Sequence, residues 1–313
     1  RKIFVEREGK RRRWEKCVSS RQKVEDVVQQ IAGKCNRVIN ENQPIVDARL
    51  AGGERVNAVV YPVALEGPVL TIRRFPDTPI TMEWLVHKGS ITQEAADFLQ
   101  DMVRAGYSIL IGGGTSSGKT TFLNALSNYI PQEERIITIE DNAELQIQGV
   151  DNLVRLEAKM SNMEGNREIT IRDLIRTALR MAPNRIIVGE IRGEEAIDLL
   201  QAWNTGHDGS MGTAHANSTR DMISRVETMV LMGISLPLEA IRRQIASGID
   251  LMVHLGRLRD RSRRVLEITE VTGYENGEVL LNPLYVWDMG KGKLVRRGEL
   301  QNWEKMKRAG IRA

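Results

Sequence analysis

The sequence predicts an α/β protein in two domains: a mainly parallel, helix-covered sheet preceded by a small α+β unit. From Tyr107 onward, short apolar strands alternate with amphipathic helices, as a parallel sheet covered on both faces requires. A G-x-x-x-x-G-K-T run, Gly113 to Thr120, falls between one such strand and one such helix. Before residue 75, strand-like segments are punctuated by Gly52-Gly53 and Gly67-Pro68 and flank a single apolar-periodic helix.

In chain order, the first unit spans 1–75. It has a strand at Ile3 to Glu6, a helix through Val24, Val27, Val28 and Ile31, and strands at Ile45 to Leu50, Arg55 to Val60 and Val69 to Arg74. Pro76, Pro79 and Gly89 interrupt any periodicity over 76–90, which predicts a linker. The second domain, 91–313, opens with a helix over Thr92 to Gly106, where Ala95, Ala96, Leu99, Met102 and Val103 share one face. Its strands are Ser108 to Ile111, Ile136 to Ile139, Ile186 to Val188, Met211 to Ala214 and Leu251 to Leu255. Ile171, Leu174, Ile175, Ala178 and Leu179 mark one helix, and Met222, Ile223, Val226, Met229 and Val230 another. Ser218 with Asp221 has the spacing of a capping box opening the latter. The tail from Val265 to Trp287 reads as two β-segments about an Asn276-Gly277 turn.

Length and composition narrow the classes. The 313 residues suit about two domains at roughly 150 residues each. The two cysteines, Cys17 and Cys35, make no disulfide framework, which favours a reducing cytoplasm. Apolar runs such as Met229 to Ile234 are far shorter than the roughly 20 residues of a membrane span. The chain begins at Arg1 without an apolar leader, so a piece shortened upstream is expected rather than a signal-bearing precursor. The net charge is only +4, but positive residues cluster at Lys10 to Arg13, Arg257 to Arg264 and Lys291 to Arg297. Such clusters attract phosphate backbones or anionic lipid. With few aromatics beside them they lack a stacking platform, so they read as solvated turns and no specific nucleic acid is expected.

The chemistry begins at the P-loop. Glycines let backbone N–H groups close around phosphate oxygens, Lys119 reaches the terminal phosphates, and the Thr120 hydroxyl suits Mg²⁺. The candidates for nucleotide contact are Gly113, Gly114, Thr115, Ser116, Ser117, Gly118, Lys119, Thr120 and Thr121. Arg185 to Glu190 is an apolar strand ending in a carboxylate, where such sheets deliver residues to a bound nucleotide. Glu190 can there orient water, take its proton or hold the metal shell. Glu140, Asp141 and Glu144 follow a neighbouring strand; two acids about a metal-bound triphosphate make a hydrolytic arrangement, although Asp141 and Glu144 serve equally well as helix N-terminal charges. Of the two histidines in Gly206 to Ser218, His215 ends a strand and can reach a γ-phosphate; neither has partners at zinc-ligand spacing.

Together these residues resemble the type II/type IV secretion ATPase superfamily, most closely the Flp (tight-adherence) pilus assembly ATPase of the CpaF type. The markers are Pro44 to Leu50, Gly53 to Val59, Thr71 to Phe75, the P-loop, Thr138 to Asp141, Val188 to Gly193 and His207 to Ser218. The resemblance implies a RecA-like ATPase domain behind the small α+β domain. It makes Glu140-Asp141 the Asp box, Glu190 the catalytic glutamate of an atypical Walker B strand, and His215 the His box, with His207 a second family histidine. It implies Mg²⁺ held at Thr120, Glu140 and Glu190, and nucleotide-reaching arginines among Arg55, Arg73 and Arg74 on the first domain and Arg180 and Arg192 on the second. Ala182 and Asn184 stand where similar sequences often carry Arg and Asp, so no subunit-boundary ion pair carries over there.

The function implied is an ATP-hydrolysing motor for pilus assembly or protein secretion. It would work as a homohexamer, cytoplasmic and peripheral on the inner membrane, with a polytopic membrane platform as partner. The competing readings are a conjugation or effector-secretion ATPase of the same superfamily, a nucleic-acid translocase, and a small-molecule phosphotransferase.

Overall fold

The computed structural model describes residues 2–7, 10–74, 79–159 and 168–311. It divides into two compact units, Arg1–Thr78 and Pro79–Ala313. Phe75 of the Thr71 to Phe75 marker, and Pro76 with the rest of 76–78, lie outside the described residues.

In the first unit, β1 (Lys2–Arg7) and β2 (Lys10–Cys17) pair as an antiparallel hairpin. The basic run Lys10 to Arg13 therefore lies on a strand and not in a turn. Cross-strand pairs such as Val5–Arg12 and Glu6–Arg11 satisfy the backbone whatever the side chains carry, and a strand this exposed leaves no burial pattern to read. Helix α1 (Arg21–Lys34), capped by Ser20, packs Val28 and Ala32 against Val46 and Ala58 of the antiparallel sheet β3 (Ile45–Arg49), β4 (Arg55–Val59) and β5 (Val69–Arg73), with Val60 just past β4. The register that puts Val46, Ala58 and Leu70 on the α1 side aligns Arg49, Arg55 and Arg73 across the three strands on the other face.

The second unit begins with a correction. Part of the expected linker is helix α2 (Met82–His87), N-capped by Thr81, with Met82 and Leu85 buried. Pro79 and Gly89 delimit this helix rather than prevent it, Gly89 taking a φ of +66° just past its end. Next come α3 (Gln93–Arg104), β6 (Ile109–Gly113), α4 (Lys119–Ser127), β7 (Ile136–Glu140) and β8 (Leu153–Glu157). They are followed by α5 (Ile171–Ala178), β9 (Arg185–Ile191), α6 (Glu195–Asn204) and β10 (Met211–Ala214). The chain continues through α7 (Thr219–Gly233), α8 (Leu238–Gly248), β11 (Leu251–Arg257), β12 (Arg263–Glu275), β13 (Glu278–Asp288), β14 (Lys293–Arg296) and α9 (Glu304–Arg308).

One nine-stranded sheet results, in the order β14-β13-β12-β11-β6-β10-β9-β7-β8. Strands β11 through β8 in that order are parallel, and β12, β13 and β14 extend it antiparallel. The expected α/β class with a mostly parallel sheet is what forms. Apolar cores fill both faces. Leu99, Ile111, Phe122 and Val253 belong to one, and Leu110, Ile186, Leu199 and Ile245 to the other. Among the described residues no helix is long and apolar enough to cross a membrane.

The capping box lies elsewhere than expected. Thr170 and Asp173 form the reciprocal box on α5, whereas at α7 Ser218 caps Asp221 N but Asp221 turns back to accept from Asn217 N at 2.7 Å. The C-terminal segment closes the end of the sheet where β6 and β11 begin. Buried Glu270 accepts from Gln301 N and Asn302 N. Lys305 Nζ bridges Asp208 at 2.8 Å and Asp250 at 2.7 Å, and Asp250 also accepts from Ser108 N.

Candidate functional site

The P-loop leaves β6 at Gly113 and enters α4 at Lys119, so it sits at the C-terminal edge of the sheet. Gly113 is obligatory: a Cβ there would lie 2.5 Å from both Leu255 O and Ser117 Oγ. Ser116 and Gly118 take φ of +61° and +98°, the left-handed turns that aim successive N–H groups inward. Among the described helices, α4, α6, α8 and α9 lack a side-chain cap, and of these α4 is the one that begins directly from the Gly-rich turn, capped by Gly118. Its first-turn amides are thus left for an anion. Ser117 Oγ is buried with no partner, a second group placed to meet a phosphate oxygen.

The neighbouring strands bring the charged groups together. Lys119 Nζ donates to Gly113 O at 3.1 Å and Gly114 O at 3.3 Å, and lies 3.4 Å from His215 Nδ1. His215 follows β10; its Nε2 is 2.6 Å from Glu190 Oε1 at the end of β9. Lysine offers only protons, so Nδ1 is the acceptor toward Lys119, whereas the close Nε2 approach lacks hydrogen-bond geometry and leaves Glu190 Oε1 buried without a hydrogen-bond partner. Arg192 Nη2 holds the other oxygen of Glu190 at 2.5 Å, while its Nη1 reaches Asp141 at 3.2 Å. Lys119, His215, Glu190, Arg192 and Asp141 thus form one cluster of charged and titratable groups at this edge of the sheet.

The protonation states follow from burial and from the charges in that cluster. Burial lowers Lys119 from its usual value, with Glu190 opposing. Burial pushes Glu190 up, but the Arg192 hydrogen bond and charge, with His215 and Lys119, outweigh it and leave Glu190 below the usual carboxylate range. Burial and the charge of Lys119 lower His215, so it is a neutral imidazole at neutral pH.

Glu140 behaves differently. Its Oε1 accepts from Glu144 N at 2.9 Å and Leu145 N at 3.0 Å, while its buried Oε2 has no partner. Burial raises it to about 7. Gly189 makes room for it, since a Cβ there would come within 2.8 Å of Glu140 Cγ. An orphaned carboxylate oxygen one strand from Glu190, and the Thr120 hydroxyl beside the P-loop, fit Mg²⁺, which takes few protein ligands when phosphates and water supply the rest. Among the described residues no group of three or more His, Cys, Asp or Glu side chains could hold a metal by itself.

Other expected residues are placed apart. His207 precedes β10 and His215 follows it, so the two stand at opposite ends of that strand; His207 Nδ1 contacts Ala202 O at 3.1 Å, at the end of α6. Arg180 is exposed on the turn after α5. Arg55 and Arg73 are cross-strand neighbours in the first unit, with Arg74 just beyond β5. Asn184 serves locally, accepting from Arg135 N at 2.7 Å. Glu195 was missed in the sequence: its Oε1 accepts from Arg192 N at 2.6 Å and Gly193 N at 3.0 Å, fixing the turn from which Arg192 reaches Glu190. The available signal was an acid in the first turn of the helix after Arg192-Gly193.

Comparison with known proteins places the chain in a family. The family described as type II/IV secretion system protein matches residues 1–280. A putative conjugal transfer protein of Mycobacterium tuberculosis is 37% identical over 275 residues, covering 86% of this chain and 77% of that protein. The type IV secretion system protein PtlH of Bordetella pertussis is 37% identical over 260 residues, covering 75% and 77%. The crystal structure of the VirB11 ATPase from the Brucella suis type IV secretion system is similar, with TM-score 0.51, 29% identity and coverage of 88% of this chain and 90% of that one. The Legionella pneumophila ATPase DotB shares the fold at TM-score 0.57 and 20% identity, covering 85% and 73%. With a family match over most of its length and relatives well above 30% identity, the chain belongs to the type II/IV secretion system protein family.

Proposed function

We propose that this chain hydrolyses ATP with Mg²⁺ and drives pilus assembly or protein secretion, in a machine of the Flp (tight-adherence) type. The observation that carries the reading is the convergence of Lys119, His215, Glu190 and Arg192 beside an α4 N-terminus with no side-chain cap. Phosphates entering the loop compete with the Gly113 and Gly114 carbonyls for Lys119, and any shift of Lys119 is felt at Glu190 through His215. Glu190 is the group to orient the attacking water and take its proton, and Arg192 and Lys119 offset charge on the transferring phosphoryl. Thr120, Glu140 and Glu190 would hold Mg²⁺, whose chemistry when bound is to neutralise the phosphate oxygens.

The motor would act as a homohexamer on the cytoplasmic face of the inner membrane, with a polytopic platform protein as partner. Arg55, Arg73 and Arg74 would supply further charge to nucleotide in the same or a neighbouring subunit. Peripheral attachment is supported by the β1–β2 hairpin, where the basic run Lys10 to Arg13 is exposed on one strand, with exposed Trp14 at its end and exposed Phe4 opposite Arg13. A second reading, a conjugation or type IV secretion ATPase, is favoured by the 37% identity to the conjugal transfer protein and to PtlH.

The test is phosphate release from ATP across protein concentrations, with and without single-stranded DNA. A specific rate that rises with concentration and ignores DNA is expected. A rate flat in concentration but strongly raised by DNA overturns the proposal in favour of a translocase. Deleting the gene and scoring surface pili against DNA transfer separates the two secretion readings.

A further inference from the structure

Two consecutive arginines at the start of β12 are sorted to opposite sides. Arg264 is tied to the body of the fold: its Nη1 donates to Lys88 O at 2.5 Å, and its guanidinium lies 5.8 Å over the Trp287 ring. Strand alternation turns Arg263 the other way, and its Cδ lies 3.4 Å from where a Cβ on Gly118 would be. The side chain thus runs against the last glycine of the P-loop.

The sheet register explains this placement. Strand β11 pairs in parallel with β6 up to Leu255–Gly113, runs on through Arg257, and returns as β12 at Arg263. The overhanging end of the hairpin therefore stands beside the loop that follows β6. Arg257 is the direct cross-strand partner of Arg263, so two cations share one face of that overhang. A basic run that reads as a solvated turn in the sequence is in fact divided between an anchor, Arg264, and a face turned to the P-loop.

The strand order also says which part of a nucleotide that face meets. Glu190, His215 and Glu140 all come from β9, β10 and β7, on one side of β6, whereas β11 and β12 lie on the other. A cation arriving from the β11 side meets phosphates gripped by the P-loop itself, away from the acids that would act at the γ-phosphate.

We infer that Arg263, with Arg257 beside it, is a nucleotide-binding residue that holds the diphosphate common to ADP and ATP from the side opposite the catalytic acids. The inference rests on the ATPase reading above. Its test is titration of fluorescent ADP and ATP analogues, with Mg²⁺, into wild type, Arg263→Ala, Arg263→Lys and Arg259→Ala, the last an exposed arginine on the same turn. Arg263→Ala should weaken both nucleotides about tenfold or more, as expected for losing a charge-assisted contact. Turnover at saturating ATP should stay within about threefold, because the lost contact is made equally in the ground and transition states. Arg263→Lys should recover part of the affinity, and Arg259→Ala should bind as wild type. Unchanged ADP affinity in Arg263→Ala and Arg263→Lys overturns the inference, as does a loss confined to ATP or an equal loss in Arg259→Ala. Wild-type protein that binds neither nucleotide overturns the ATPase reading together with it.

Discussion

Glu140→Gln, studied without nucleotide, isolates the electrostatic cost of keeping an acid beneath the P-loop site. Glu140 is 3% exposed, and burial lifts its carboxyl from the ordinary 4.5 to about 7 against the pull of the Glu144 and Leu145 amides. A value raised on folding means that the folded protein binds the proton more tightly than the unfolded chain. Stability from this group is therefore full below about pH 4.5, falls through the window from 4.5 to about 7, and is level above it. At about 1.4 kcal/mol per pH decade, the window corresponds to roughly 3 kcal/mol. Glutamine keeps an oxygen for the two amides and has no charge to desolvate, so the variant lacks this slope. The two proteins should melt together near pH 4.5. At pH 8 the variant should melt higher by roughly 6–12 °C, given about 2–4 °C per kcal/mol for a domain of this size. Thermal denaturation followed by circular dichroism from pH 4.5 to 8.5 measures the difference. Parallel curves across that range would show that Glu140 titrates alike in the folded and unfolded chain, as a solvated carboxyl does, and would refute the reasoning.

Further outcomes follow from the same geometry. Lys119→Ala should lower ATP turnover by at least roughly a hundredfold; a variant with half the wild-type rate removes the phosphate-clamp role. Glu190→Gln should still bind ATP in equilibrium titration yet hydrolyse it about 10²–10⁴-fold more slowly, and loss of binding instead makes Glu190 structural. Arg73 is assigned by family resemblance and not by this geometry; on that proposal Arg73→Ala should reduce kcat more than nucleotide affinity, and an unchanged kcat takes Arg73 out of the reaction. Lys305→Met should cost about 3 kcal/mol at pH 8, because Asp250, already raised by burial and held down by Lys305, is left as an uncompensated buried charge. The loss should shrink toward pH 5 as Asp250 takes a proton, and a melting deficit independent of pH would assign it to packing alone.

Features set by local chemistry were legible in the chain. The P-loop is a contiguous run whose glycines have backbone reasons, and the apolar strands β6, β7, β9, β10 and β11 announce themselves because each is almost wholly buried. Strand β8 is half-exposed at the edge of the sheet and β2 is exposed along its length, so neither carries a hydrophobic pattern to find. Helix α2 was hidden because proline and glycine mark the ends of a short helix with the same residues that mark a linker.

By itself, then, the sequence determined the α/β class and set a Gly-rich loop, acids and a histidine at the ends of their strands, since each is encoded within a few residues of its own strand or turn. Only the tertiary structure decided which of these meet. Strand order places Glu190 and His215 in one charged cluster with Lys119, and the direction of β10 sends His207 to the far end of the sheet. The parallel pairing of β11 with β6 carries Arg263, distant in the chain, to Gly118. Burial and pairing across strands depend on which segments become neighbours, and that is settled when the whole apolar core closes, not by any one segment.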